Sequence, residues 1–237
     1  MPNKLNAIWI TGASSGIGKE LAKEFARVGA NVYASARRTN MLELLKKELE
    51  AENLQIKTIP CNVASSANVE QTVKQILSET KIDCLINNAG VTSFKKAEDN
   101  SLNEIKEIID TNLLGSIYAI KSVLPSMIEN KNGTIINIIS VVAKKIFYNS
   151  SAYTASKAGL LSYADCLREE VRKHNIRIIN VLPGATSTPI WPEKVLRESK
   201  DRMMEASDIA RLIVSLYLND TTVVPEEIVL RPIKGDL

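Results

Sequence analysis

Short apolar runs alternate along the chain with longer stretches in which apolar residues recur every three or four positions. The runs predict buried strands over Leu5–Ile10, Asn31–Ala36, Gln55–Ile59, Ile82–Ile86, Ile135–Ile139, Ile176–Val181 and Glu227–Leu230. The periodic stretches predict helices. Leu21, Phe25 and Val28 recur at helical spacing before Gly29, which closes that helix. Residues 40–51 form an amphipathic helix, and Val69, Val73, Ile76 and Leu77 mark the apolar face of another over Ser65–Glu79. Leu102, Ile105, Ile108 and Ile109 open one long helix over residues 101–129, with Asn112 inside it. Two more helices follow, over Ser151–Arg172 and 207–218. Between the sixth strand and the last helix lies a Pro-flanked segment, 189–206, whose charges alternate in sign from Glu193 to Glu205, so it reads as an exposed helix.

Strands alternating with helices, with no linker, repeat or low-complexity run between them, predict an α/β fold. Its core is a doubly wound parallel sheet of about seven strands with helices on both faces, a single domain spanning residues 1–237 in which 189–206 is a short substrate lid. Ligands of such sheets sit beyond the carboxyl ends of the strands. Gly12, Arg37, Asn62, Asn88, Ser140 and Pro183 all fall at predicted strand ends, on that one rim.

Composition narrows the chemistry. The 237 residues are 45% hydrophobic and 24% charged, with a net charge of +3, as in an ordinary globular protein. The lysines are scattered and no basic stripe is interleaved with aromatics, so no nucleic-acid partner is expected. Cys61, Cys84 and Cys166 lie far apart among apolar neighbours and read as reduced core thiols. The single histidine, His174, sits at a predicted helix C-terminus, where the helix dipole favours a cation. One histidine and no cysteine pair predict no metal site. No run reaches the roughly 18 apolar residues of a membrane span, and the N-terminus lacks a cleavable apolar leader, so the chain is expected in the cytoplasm without a membrane partner.

The candidate chemistry lies in SVVAKKIFYNSSAYTASK, from Ser140 to Lys157. Tyr153 and Lys157 are four residues apart and share one helix face. A phenol titrates near ~10, and bringing it to ~7 takes roughly 4 kcal/mol of preference for the phenolate. One ammonium about 4 Å away supplies roughly that at an effective dielectric of ~20. Tyr153 is then an acid or base at a carbonyl or carbinol, and Ser140 hydrogen-bonds the reacting oxygen. At the other end of the chain, TGASSGIG stands between a predicted strand and helix. Gly12, Gly16 and Gly18 there allow a tight turn and close approach of backbone to a pyrophosphate. The second strand ends in Arg37-Arg38, with no Asp or Glu to take a ribose 2′-hydroxyl, and two guanidiniums suit a 2′-phosphate. The expected cofactor is therefore NADP(H) in preference to NAD(H).

Together these residues resemble the short-chain dehydrogenase/reductase family. The glycine loop, Asn87-Asn88-Ala89-Gly90, Asn112, Ser140, Tyr153-x-x-x-Lys157 and Pro183-Gly184-x-x-x-Thr188 stand in the family's order and spacing, over most of the chain. The resemblance implies a Rossmann-type fold and a role for each position. Tyr153 would be the acid or base, and Ser140 would orient the substrate oxygen. Lys157 would bind the nicotinamide ribose and lower the tyrosine pKa, and Asn112 would anchor a water-linked proton relay. Gly12, Ser14, Ser15, Gly16, Ile17 and Gly18 would wrap the pyrophosphate, Asn62 and Val63 would lie against the adenine, and Asn88, Ala89 and Gly90 would line the ribose. Pro183, Gly184 and Thr188 would hold the carboxamide. The family implies a homo-oligomer; the chain end, EEIVLRPIKGDL, lacks the Asp-Gly-Gly often found beside the last strand, which sets a homodimer level with a homotetramer.

The resulting expectation is an NADP-dependent oxidoreductase that reduces a small ketone or aldehyde, or runs in reverse on an alcohol. Val142, Phe147 and Tyr148, with Val141 and Ile146, are candidates for an apolar substrate pocket, and Lys144 and Lys145 read as a solvated basic pair. Two alternatives stand beside it: a dehydrogenase of a hydroxy acid or β-hydroxy amino acid, and a non-catalytic sensor of the NADPH/NADP ratio.

Overall fold

The computed structural model describes residues 7–219, 222–235 and 237. Leu5, at the start of the first predicted strand, lies outside them. Seven strands form one parallel sheet: β1 (Ala7–Thr11), β2 (Asn31–Ala36), β3 (Lys57–Pro60), β4 (Ile82–Asn87), β5 (Gly133–Ile138), β6 (Ile176–Pro183) and, last in the chain, β9 (Glu227–Leu230). Their order across the sheet is β3-β2-β1-β4-β5-β6-β9. The direction of winding reverses between β1 and β4, which is where a crevice for a ligand opens in such sheets.

Alternation along each strand feeds two cores. Ile8 and Ile10 face one side, against Leu21 and Phe25 of α1 (Gly16–Arg27), Leu42, Leu45 and Leu49 of α2 (Thr39–Ala51), and Ile209 and Ile213 of α8 (Ala206–Leu218). Ala7 and Trp9 face the other, against Val69, Val73 and Ile76 of α3 (Ser66–Glu79), Ile120 and Val123 of α5 (Gly115–Asn130), and Leu167 and Val171 of α6 (Ser151–Val171). A strand buried on both faces reads as an unbroken apolar run, which is why these runs were legible.

Near the rim a polar ladder crosses three strands. Asn87, Asn137 and Asn180 are paired in register. Asn87 Nδ2 donates to Asn137 Oδ1 at 3.0 Å, Asn137 Nδ2 donates to Asn180 Oδ1 at 3.0 Å, and Asn180 Nδ2 ends the run on Asp165 of α6 at 3.2 Å. A one-residue slip of any strand would unpair buried amides at roughly 1–3 kcal/mol each, so the ladder pins the strand ends that carry the rim.

Two predicted elements are corrected. The long helix over 101–129 is interrupted. A capping box of Ser101 and Glu104 starts α4 (Leu102–Ile109), and α5 follows after a widened turn at Asp110–Leu114, where the Gly115 N–H reaches back five residues to the Asp110 carbonyl. Such π-type turns insert one extra residue and redirect the side chains beside it; Thr111 and Asn112 sit inside this one. The exposed helix expected up to Glu205 stops early, as α7 (Glu193–Ser199). Buried Met203 and the bond from Met204 N–H to the Ala185 carbonyl, at 2.9 Å, pull the chain back instead. There β8 (Met204–Glu205) pairs with β7 (Thr186–Ser187). No helix among the described residues is long and apolar enough to cross a membrane.

Candidate active site

The ends of β1 and β4 are laced together. Thr11 Oγ1 accepts from the Asn88 and Ala89 N–H groups, both at 3.1 Å, and Asn88 Nδ2 donates to the carbonyls of Thr11 and Gly12 at 3.0 and 3.1 Å. Gly12 has φ +68°, and a Cβ on it would stand 2.6 Å from the Ala89 Cα, so only glycine lets the two loops meet. The loop then enters α1 at Ser15, whose side chain makes no capping bond. The first N–H groups of the helix are left for an anion. Arg38 Nη2 lies over this loop, donating to Ser14 Oγ at 2.9 Å and Ser15 Oγ at 2.7 Å. Arg37 is turned to Glu107 of α4, at 3.2 Å.

A cavity of about 690 Å³ runs from this loop along the rim to the segment after β5. Midway, Ser140 Oγ accepts from the Val142 N–H at 3.3 Å and shares the cavity wall with the Tyr153 phenol. Tyr153 keeps part of its surface open to the cavity, yet its hydroxyl sits deep enough that burial pushes the phenol up to about 12, the Ser140 hydroxyl opposing this only in part. Lys157 is 3% exposed; burial pulls its ammonium down to about 8. Its Nζ donates to the Ile138 carbonyl at 2.8 Å and lies 5.8 Å from the centre of the Tyr153 ring. Desolvation is the largest influence on the phenol, and the Lys157 ammonium is bonded to the Ile138 carbonyl.

These features coincide with a family pattern. The model of the short chain dehydrogenase family matches residues 6–199. The chain belongs to that family. A sepiapterin reductase of Chlorobaculum tepidum is 37% identical over 236 residues, covering 96% of each chain. An alcohol dehydrogenase of the archaeon Thermococcus sibiricus, solved with 5-hydroxy-NADP, superposes with a TM-score of 0.89 at 26% identity, covering 98% of this chain and 99% of that one. A metagenomic short-chain oxidoreductase in complex with NADP gives a TM-score of 0.84 at 29% identity, covering 96% of both. This short-chain dehydrogenase is an oxidoreductase of carbonyl or CH–OH groups.

Most of the residues singled out in the sequence line the cavity of this dehydrogenase: Gly12, Ser14, Ser15, Gly16, Ile17, Arg37, Arg38, Val63, Asn88, Ala89, Gly90, Pro183, Gly184 and Thr188 toward one end, and Ser140, Val142, Phe147, Tyr148, Tyr153 and Lys157 toward the other. Three of the residues assigned to catalysis or the cofactor do not line it. Gly18 packs beneath the loop, where a Cβ would stand 2.3 Å from Asn88 Nδ2 and 2.5 Å from the Gly12 carbonyl oxygen, so it seats the helix on the strand. Asn62 folds onto its own loop, accepting from the Ala64 N–H, and the wall is made by its neighbours Cys61 and Val63. Asn112 is fully buried, and its amide is spent on protein. Oδ1 accepts from the Val91 N–H at 2.8 Å, while Nδ2 donates to the Val91 carbonyl at 2.9 Å and to Ser156 Oγ at 3.0 Å. Ile146 is 90% exposed, Lys144 pairs with Glu227 at 2.6 Å, and Cys166 is exposed where a core thiol was expected.

Among the lining residues without a signal in the sequence are Thr111, Phe94, Ile190 and Trp191. Thr111 carries a buried hydroxyl with no partner. It reaches the wall through the widened turn, which spacing does not reveal. Phe94, Ile190 and Trp191 come from irregular loops, where periodicity says nothing.

Proposed function

We propose that this dehydrogenase is an NADP-dependent reductase of ketones or aldehydes. The observation that carries the reading is that Tyr153, Ser140 and Lys157 line one cavity whose far end holds Arg38 over an uncapped glycine loop. Two hydroxyls in the wall of one cavity can both turn to one carbonyl oxygen. Ser140 holds it, and Tyr153 gives it a proton. The protonated phenol is the form that can give a proton to a carbonyl oxygen.

The residues at the other end fit a phosphorylated dinucleotide. The N–H groups at the start of α1, with Ser14 and Ser15, would hold its pyrophosphate. Arg38, and Arg37 in competition with Glu107, would hold a 2′-phosphate. Cys61 and Val63 would flank the adenine; Asn88, Ala89, Gly90 and Lys157 would line the ribose; Pro183, Gly184 and Thr188 would meet the carboxamide. The orphaned Thr111 hydroxyl offers one more contact in the same cavity. NADPH, when bound, supplies the hydride. Asn112 positions the Val91 segment beside Lys157: a Cβ on Gly90 would lie 3.5 Å from Asn112 Oδ1 and 3.6 Å from Lys157 Nζ. The segment 189–206 serves as the lid over the substrate. In keeping with the family, the chain would act as a homo-oligomer on a small molecule, in the cytoplasm.

The test is consumption of NADPH, with NADH in parallel, against ketones, aldehydes and keto acids, with sepiapterin included because of the Chlorobaculum relative. Turnover with NADPH at least tenfold above NADH supports the reading. A preference for NADH overturns the assignment of Arg37 and Arg38. Tight NADPH binding with no turnover of any carbonyl overturns the reductase and returns the sensor.

A further inference from the structure

The substrate end of the cavity carries a feature that the catalytic set does not use. Phe94, in the segment after β4, and Trp191, at the start of the lid, stack face to face with ring centres 4.9 Å apart and planes 9° apart. The indole is fixed from behind: Nε1 donates to the Thr186 carbonyl at 3.0 Å, and the Trp191 N–H donates to the Thr188 carbonyl at 3.3 Å. Prolines at 189 and 192 flank it and stiffen its backbone. Phe147 and Val142 belong to the same cavity end. Charge is as informative as shape. The two arginines of the lining belong to the cofactor end, and the remaining charged lining group, Lys157, donates to a main-chain carbonyl. Lys144, next to this wall in sequence, is held by Glu227, and the exposed Lys145 has its Nζ 5.8 Å from the centre of the Phe147 ring, where water screens its charge. A carboxylate placed here would give up its water for a screened surface lysine at most.

We propose that Phe94 and Trp191 are the specificity-determining wall of this site, and that the substrate is an uncharged aryl ketone or aldehyde whose ring packs against them. This rests on the reductase reading and narrows it, setting the chain apart from dehydrogenases of hydroxy acids. Offset aromatic packing favours such a ring over a saturated one of the same size by about three- to tenfold.

Three ketones decide it: acetophenone, cyclohexyl methyl ketone and benzoylformate, each with NADPH, for wild type, Trp191→Leu and Phe94→Leu. Wild type is expected to reduce acetophenone with a kcat/KM about three- to tenfold above cyclohexyl methyl ketone, and benzoylformate about a hundredfold more slowly than acetophenone. Both variants are expected to bring the aryl-to-cyclohexyl ratio to about one. Benzoylformate turned over as well as acetophenone overturns the proposal. So does an equal loss on both neutral ketones in the variants, or turnover confined to carbonyl compounds outside this set. If no carbonyl compound at all is reduced, the reductase reading has failed, and binding decides the wall alone. Acetophenone is then titrated into NADPH-loaded protein and the heat of binding is followed by calorimetry. A saturable change that Trp191→Leu removes supports the wall, and no saturable change overturns it.

Discussion

The two ends of the cavity are built in opposite ways. The cofactor end is made of short turns at the ends of β1, β2 and β4, tied by Thr11 and Asn88 and closed by Gly12 against Ala89. Its contacts are main-chain N–H groups, hydroxyls and guanidiniums, the groups that suit phosphates. The other end is made of long segments: residues 91–100, 141–150 and 188–192 contribute Phe94, Phe147 and Trp191 to the cavity wall, Phe94 stacked on Trp191. Rigid elements serve the ligand common to a family, and loops serve the ligand that varies. Tyr153 and Ser140 stand where the two ends meet.

The comparison can be broken in several places. The largest effect is expected at the meeting point: Ser140→Ala removes the hydroxyl that shares the cavity wall with the phenol. If Ser140 holds the substrate oxygen as proposed, the substitution should lower kcat about 10²-fold with NADPH affinity unchanged, read from steady-state rates beside a cofactor titration. An equal loss of cofactor affinity would mean that the two ends are not separable.

The next concerns Lys157. Below pH 8 its ammonium is charged in both folded and unfolded chains, and the folded chain bears the cost of burying it. Between 8 and the ordinary 10.5 the folded chain sheds the proton first, so stability rises with pH. Tyr153 acts in the other sense only above its ordinary value of 10, because the raised phenol keeps its proton while the unfolded chain loses it. Denaturant unfolding of the cofactor-free protein should therefore show wild type gaining about 2 kcal/mol on Lys157→Met between pH 8 and 10. A flat difference would show that the ammonium is solvated.

The smallest effect sharpens the cofactor end. Glu107→Gln frees Arg37 from an exposed ion pair, of the kind typically worth about 0.2–1 kcal/mol. NADPH should bind up to about fivefold more tightly with NADH unchanged; an equal gain for both cofactors would place Arg37 away from the 2′-phosphate.

Legibility followed the same division. The strands were readable because burial on both faces leaves continuous apolar runs, and the glycine loop because a tight turn at a phosphate admits few other residues. The Tyr153–Lys157 pair was readable from helical spacing, but the height of the phenol was not, since burial and the bond from Lys157 to Ile138 depend on packing. Gly18 and Asn62 were assigned to the cofactor by motif, and their neighbours in space give them supporting roles. Phe94 and Trp191 meet across 97 residues of sequence from two irregular loops, and no local pattern predicts such a pair.

The most direct test of the account compares Arg38→Ala and Tyr153→Phe in two assays, NADPH affinity by titration and kcat at saturating NADPH. Arg38→Ala should weaken NADPH roughly ten- to hundredfold, the loss of a charged hydrogen bond, and leave kcat within about threefold. Tyr153→Phe should leave affinity unchanged and lower kcat by about 10²- to 10⁴-fold, the loss of a general acid. If each variant instead lost binding and turnover alike, the cavity would be one undivided site and the account would be wrong.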